Sequence, residues 1–383
     1  MEDCVILREF GTACGRRFGH ATLNAPKSLN ALSLEMIDRL APQLAAWETD
    51  PDIVGVVLDG SGDKAFCAGG DVAALYRAIR AVPEGTVAAE VAAFFEREYR
   101  LDHHIHRYRK PILCWGNGIV MGGGIGLMAG ASHRVATPST RMAMPEITLG
   151  LYPDVGGSWF LRRMPGKLGL FLALTGAPLN AGDACFGGLA DFVIAHESKE
   201  RVLGLLADSR WDAPLEPAGT QRNHDRLGGL LDALAIAGAR DNAPLRQGLD
   251  RIDSLIGHDG LQAIAGRLAA VAEEGEGEGR EPAWLTSAAR SFVRGAPSSA
   301  WLAWALWQRV PRLSLAEVFR LEYLVSVACA TRGEFAEGVR ALLIDKDRNP
   351  RWSHASVAEV GPADVEDHFR PRFSGPHPLA DLA

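Results

Sequence analysis

Twice in its first 130 residues this chain sets glycines where a short apolar run gives way to a helical pattern. The first junction is Ala65-Phe-Cys-Ala-Gly-Gly-Asp71 and the second is Met121-Gly-Gly-Gly-Ile125. The apolar runs Val54 to Leu58 and Pro111 to Trp115 read as parallel strands buried on both faces. Strands alternating with helices predict right-handed β-α crossovers stacked around a core. The expected class is therefore α/β.

Other elements follow from pattern. Cys4 to Phe10 and Gly19 to Leu23 read as a strand pair, with Asn24 to Asn30 a loop. Ser33 is placed to cap a helix from Leu34 to Glu48, whose apolar residues keep helical spacing. Further helices are expected from about Val72 and over Val87 to Tyr108, and a short strand over His133 to Thr137. After about Ser198 helical patterns dominate, over 201–207, 227–237, 252–272, 300–309 and 315–332, with an acidic Gly/Glu loop at 273–279. The chain thus divides into an α/β core with the active site over residues 1–200 and an α-helical region over 201–383.

Composition excludes several functions. A net charge of −7, with no basic run, argues against a nucleic-acid surface. No stretch of eighteen uncharged apolar residues predicts a membrane span, and the N-terminus reads as a strand, not a signal peptide. Cys4, Cys14, Cys67, Cys114, Cys185 and Cys329 lack C-x-x-C spacing, so neither zinc nor a disulfide framework is expected. A reduced, cytoplasmic setting follows.

The chemistry concentrates between Gly116 and Gly157. Glycines at both junctions let backbone N–H groups approach one ligand oxygen, a two-donor oxyanion hole, although glycine clusters also serve tight turns and close packing. Gly124-Ile-Gly-Leu-Met-Ala129 satisfies the dinucleotide form G-x-G-x-x-A; it is set aside because the apolar strand ends at Trp115, short of the glycines. Glu146, between Met144-Pro145 and Ile147, would be desolvated and suited to a general base. Asp154 follows Pro153 and precedes Val155-Gly-Gly157. Alone, either acid reads as an ordinary turn or cap residue, Glu98 as a solvated helix face, and His103, His104 and His106 as a surface patch. Cys67 and Cys114 read as small apolar packing.

These residues resemble the crotonase (enoyl-CoA hydratase/isomerase) superfamily. The likeness runs through Leu23 to Leu32, Lys64 to Asp71, Phe94 to Tyr99, Gly116 to Gly176, Gly338 to Asp347 and Pro350 to Trp352. It implies a ββα spiral core with an α-helical C-terminal part. Within the superfamily the pattern is most similar to the branch that hydrolyses 3-hydroxyisobutyryl-CoA in valine catabolism. The two acids of a hydratase would fall at positions 126 and 146; here the first is glycine, while the Asp of the hydrolase pattern is present at 154. The resemblance gives the amides of Gly70 and Gly123 to the thioester oxygen and substrate contact to Glu98, Gly123, Glu146 and Asp154. It puts backbone near Lys27, Leu29, Ala31 and Ala68 against the adenine end and Lys346 near the CoA phosphates. It implies no metal or redox cofactor, CoA being part of the substrate, and self-association through the C-terminal helices. A hydratase or isomerase using Glu146 alone, or a non-catalytic acyl-CoA binder, are the rival readings.

Overall fold

The computed structural model describes residues 3–274 and 281–383. They form two compact units. One takes the chain up to Gly70, Leu101–Met142 and Leu179–Pro244; the other takes Asp71–Arg100, Ala143–Pro178 and the chain from Leu245 onward.

The first unit carries the sheets. Strand β1 (Val5–Gly11) pairs antiparallel with β2 (Arg17–Leu23), Val5 opposite Leu23. The helix Leu34–Thr49 then crosses over, its first turn capped by the Ser33 hydroxyl, which accepts from the Met36 N–H at 3.2 Å. It leads to β3 (Ile53–Gly60), which lies parallel to β2 and is buried in all but its last residue. Strands β4 (Ala65–Cys67), β5 (Ile112–Gly116), β6 (Ile119–Met121), β7 (His133–Ala136), β8 (Arg141–Ala143) and β9 (Phe192–Val193) follow. The larger sheet has the order β1-β2-β3-β5-β7-β9, and a smaller one has β4-β6-β8. Trp115, Val135 and Phe18 of the larger sheet pack with Leu206, Leu227 and Leu231 from the helices Lys199–Asp208 and Pro217–Asp232. Burying each such side chain is worth about 1.5–3 kcal/mol.

In the helix Lys199–Asp208, Gly204 is exposed with open space where a Cβ would go. Gly204→Ala should therefore stabilise the protein by about 0.5–1 kcal/mol, read as a rise in the denaturant midpoint at constant m.

The second unit is helical. All eight residues of Leu168–Thr175 are buried, and Leu249–Ile256, Ala283–Arg294 and Pro297–Arg309 surround this helix. The helix Leu315–Thr331 opens with a capping box between Ser314 and Glu317 and is buried along most of its length.

Sequence patterns located most elements within a few residues. The pattern over 252–272 is two helices, Leu249–Ile256 and Leu261–Glu274, because Gly257 turns the backbone at φ 59°. That over 227–237 belongs to Pro217–Asp232, which starts earlier behind Pro217 at its first position. Of the acidic segment, Glu273 and Glu274 end a helix, and the rest lies outside the described residues. Among the described residues no helix is long and apolar enough to cross a membrane.

Candidate active site

Two constellations gather the expected residues, one in each unit. In the first, β4 runs on into Ala68, Gly69 and Gly70. The Ala68 N–H donates to the Leu29 carbonyl at 3.0 Å, and the Leu32 N–H donates to the Gly69 carbonyl at 2.8 Å. The Leu29–Leu32 segment therefore borders one edge of this extension. Leu32 and Gly70 form a parallel bridge in which Leu32 makes the bond, so the Gly70 N–H points to the opposite edge. That edge is the one β6 occupies, with Ala65 opposite Ile119 and Cys67 opposite Val120. From β6 the chain turns at Gly122 (φ 47°) into the helix Gly123–Ala129, whose first N–H groups have no intrahelical acceptor.

The two junctions press together through backbone. A Cβ on Gly69 (φ 104°) would stand 3.3 Å from the Met121 carbonyl oxygen, and one on Gly124 would stand 2.4 Å from that of Cys67. At Gly124 proximity alone requires glycine, and at Gly69 the positive φ does so as well. The structure thus brings Gly70 and Gly123 to neighbouring turns, with Ala68 on the strand extension, Leu29 and Ala31 on the segment that borders it, and Lys27 exposed in the Pro26–Ser28 turn. That turn is held by a side chain the sequence reading passed over. Asn30, fully buried, accepts from the Ala25 N–H at 2.9 Å and donates to the carbonyls of Ser61 and Ala65, each at 3.0 Å. Leu29 and Asn30 both have φ 55°, which Asn tolerates well.

The ground for setting aside a dinucleotide fingerprint needs correcting. A strand, β6, does run directly into these glycines; it is three residues long and pairs in the smaller sheet, which is why an apolar run did not mark it.

In the second unit Glu146 opens a one-turn 3-10 helix, Glu146–Leu149, behind Pro145. It is 4% exposed and its Oε2 is buried with no hydrogen-bond partner. Burial, and then the neighbouring charge of Asp154, push its pKa well above the usual carboxylate range. Asp154, 5% exposed, is pushed up to about 6 by burial, against the lowering effect of Tyr99 and of its own backbone. The next two residues, Val155 and Gly156, have φ 53° and 80°. Valine in that region is strained, and a carboxylate holds it there: Glu322 accepts from the Gly156 N–H at 2.8 Å and the Ser158 N–H at 3.0 Å. Glu322 is itself fully buried, and desolvation together with Asp154 raises it to about 8.

Glu98 is 2% exposed on the helix Ala89–Arg107, so it does not lie on a solvated face. His103 is buried too, which corrects the surface-patch reading for that residue. Lys346 is exposed with φ 58°, in a loop where Arg340 pairs with Asp345 and Asp347 on either side of it. Cys67 and Cys114 are buried, as apolar packing requires.

Sequence reading missed Tyr99, Tyr152, Glu322 and Ser326, whose polar atoms surround Asp154 and its turn. One signal was available. Glu322 and Ser326 stand four residues apart, on one face, in a helix otherwise almost wholly apolar on its buried sides. Buried carboxyls whose pKa values rise together can share one proton between water-activating and proton-donating roles. Paired N–H donors at one edge can hold a developing oxyanion.

A family model described as enoyl-CoA hydratase/isomerase matches residues 18–369. The chain is 38% identical over 351 residues to the mitochondrial 3-hydroxyisobutyryl-CoA hydrolase of Danio rerio, spanning 92% of this chain and 86% of that protein. It is 36% identical over 360 residues to the enzyme of that name from Homo sapiens, with the same shares covered. Among solved structures, a carnitinyl-CoA dehydratase from Mycobacterium thermoresistibile superposes with TM-score 0.81 at 36% identity over 97% of each chain. An enoyl-CoA hydratase from Rhodobacter sphaeroides gives 0.79 at 32%, covering 96% of this chain and 98% of that one. With its α/β crotonase fold and a match along nearly its whole length, the chain belongs to the enoyl-CoA hydratase/isomerase family.

Proposed function

We infer that the chain is an acyl-CoA thioester hydrolase that converts 3-hydroxyisobutyryl-CoA to 3-hydroxyisobutyrate and CoA, a step of valine catabolism. The observation that carries this is Asp154 buried beside Glu146, while position 126 holds a glycine. A hydratase needs a second acid at 126 to add water across a double bond. A hydrolase needs water activated beside a carbonyl.

In this reading the amides of Gly70 and Gly123 hold the thioester oxygen as it gains charge. Glu146 takes a proton from water as the O–C bond forms, or attacks the carbonyl itself to give an anhydride that water then cleaves, restoring Glu146; in either case Asp154 positions the water and shares its proton. The C–S bond breaks and the sulfur leaves with a proton as CoA. Glu98 accepts from the 3-hydroxyl of the acyl group. Lys346 meets the CoA phosphates, and backbone near Lys27, Leu29, Ala31 and Ala68 borders the adenine. No metal or redox group enters these steps, CoA arriving as part of the substrate. Six cysteines without pairing motifs fit a reduced, cytoplasmic setting, although relatives carry "mitochondrial" in their names. Self-association of the chain completes the proposal.

The test is free-thiol release from 3-hydroxyisobutyryl-CoA by the wild type and by Asp154→Gly. The variant should lose about 100-fold or more in kcat, and equal rates would count against the reading. Loss of crotonyl-CoA absorbance, assayed alongside, would instead favour a hydratase.

A further inference from the structure

Behind Asp154 three buried hydroxyls stand in file. Tyr99 Oη lies 2.6 Å from Asp154 Oδ2, and Ser326 Oγ lies 2.7 Å from Tyr99 Oη. Tyr152 Oη lies 2.8 Å from Ser326 Oγ and donates to the Glu322 main-chain carbonyl at 2.7 Å. Tyr99, Tyr152 and Ser326 are each 0% exposed, so bulk water does not reach the file.

The hydrogens can be counted. A carbonyl oxygen only accepts, so the single proton of Tyr152 goes to Glu322. Tyr152 must then accept from Ser326, whose one proton is used there. Ser326 must in turn accept from Tyr99. The contact between Tyr99 and Asp154 is left, and only a proton on Asp154 can fill it. Four contacts share three hydroxyl hydrogens. With Asp154 ionised, Tyr99 turns its hydrogen to the carboxylate, and one of the two contacts of Ser326 opposes lone pair to lone pair. In a buried site that mismatch is costly.

The titratable groups facing Asp154 are all acids. They are Glu146 from its 3-10 turn, Tyr99 from the helix Ala89–Arg107, Tyr152, and Glu322 and Cys329 from the helix Leu315–Thr331. Glu98, also buried, precedes Tyr99 in the chain. Each of these groups is negative when ionised.

We propose that Ser326 is a positioning residue for Asp154: it closes a hydroxyl file whose complete state carries a proton on that carboxyl, and whose reversal lets Asp154 release and recover the proton without moving. Its bearing on catalysis rests on the thioester-hydrolase reading; the location of the proton rests on the hydrogen count alone.

The experiment titrates Asp154 in the substrate-free protein by the infrared carboxyl stretch, beside the pH dependence of kcat for 3-hydroxyisobutyryl-CoA. Ser326→Ala leaves two contacts and two hydroxyl hydrogens, so the ionised carboxylate becomes complete. Its titration, and the acid limb of the rate profile, should move down by roughly one pH unit, the worth of a typical hydrogen bond. Tyr152→Phe cuts the file one place further on and should move it the same way, which keeps the test open if Ser326→Ala does not fold. Tyr99→Phe removes the side-chain donor to the ionised form and should move the titration up by a similar amount. Ser326→Thr should restore the wild-type value. Shifts of one common sign across Ser326→Ala and Tyr99→Phe, or none, would overturn the proposal. Should no CoA ester be turned over, the hydrolase reading fails while the infrared titration still decides this one.

Discussion

Glu146→Gln should lower kcat for 3-hydroxyisobutyryl-CoA by about 1000-fold or more while leaving the protein folded. The glutamine has the shape of the acid but cannot take a proton from water or attack a carbonyl, and a lost general base typically removes 100- to 10,000-fold. The fold is spared because Glu146 Oε2 has no hydrogen-bond partner to lose and the acid already sits where burial favours its neutral form. The pH dependence of stability gives the sign. A carboxyl whose pKa is raised on folding contributes stability that is full below its unfolded pKa and lost as pH rises through the folded value. The variant has no such loss. Melting temperatures of the two proteins should agree most closely in acid, and the variant should melt higher toward the alkaline side. Thiol release within tenfold of wild type would remove Glu146 from the chemistry. A variant that melts lower at alkaline pH would contradict the burial argument.

The sequence made some of this legible and hid the rest for identifiable reasons. The crossovers could be read because β3 and β5 are continuous apolar runs and the helix after Ser33 has a clean cap and period. The strands β4, β6 and β8 are three residues each, too short to show a period, so the smaller sheet that aligns the two glycine turns was invisible. Glu146 could be singled out because its own neighbours desolvate it. Glu98 could not, since on its helix it looks like any polar residue among charged ones, and its burial is a tertiary fact. Ser326 lies 172 residues beyond Asp154, and Glu322 lies 168 beyond it. No local pattern links residues so far apart. Only the polar pair in an apolar helix hinted at them.

A Cβ on Gly124 would stand 2.4 Å from the Cys67 carbonyl oxygen, where ordinary contact begins at 3.4 Å. The obstacle is backbone, so no side chain can swing aside; relief needs the helix Gly123–Ala129 and β4 to separate by about 1 Å, and a misplacement of that size can cost about 100-fold. Those two elements lead directly to Gly123 and Gly70. Gly124→Ala should therefore cost about 1–3 kcal/mol of stability. It should also lower kcat/KM for the CoA thioester by about 100-fold, comparable to losing one oxyanion donor. Gly118→Ala is the comparison. There a Cβ would meet the Lys64 carbonyl oxygen at 2.2 Å with φ at 64°, so the strain is at least as great, but it enters just before β4 begins, at the end away from Gly70. If the paired amides hold the thioester oxygen, Gly124→Ala loses much more activity than Gly118→Ala for a similar drop in melting temperature. Equal losses would mean that the glycines serve packing alone.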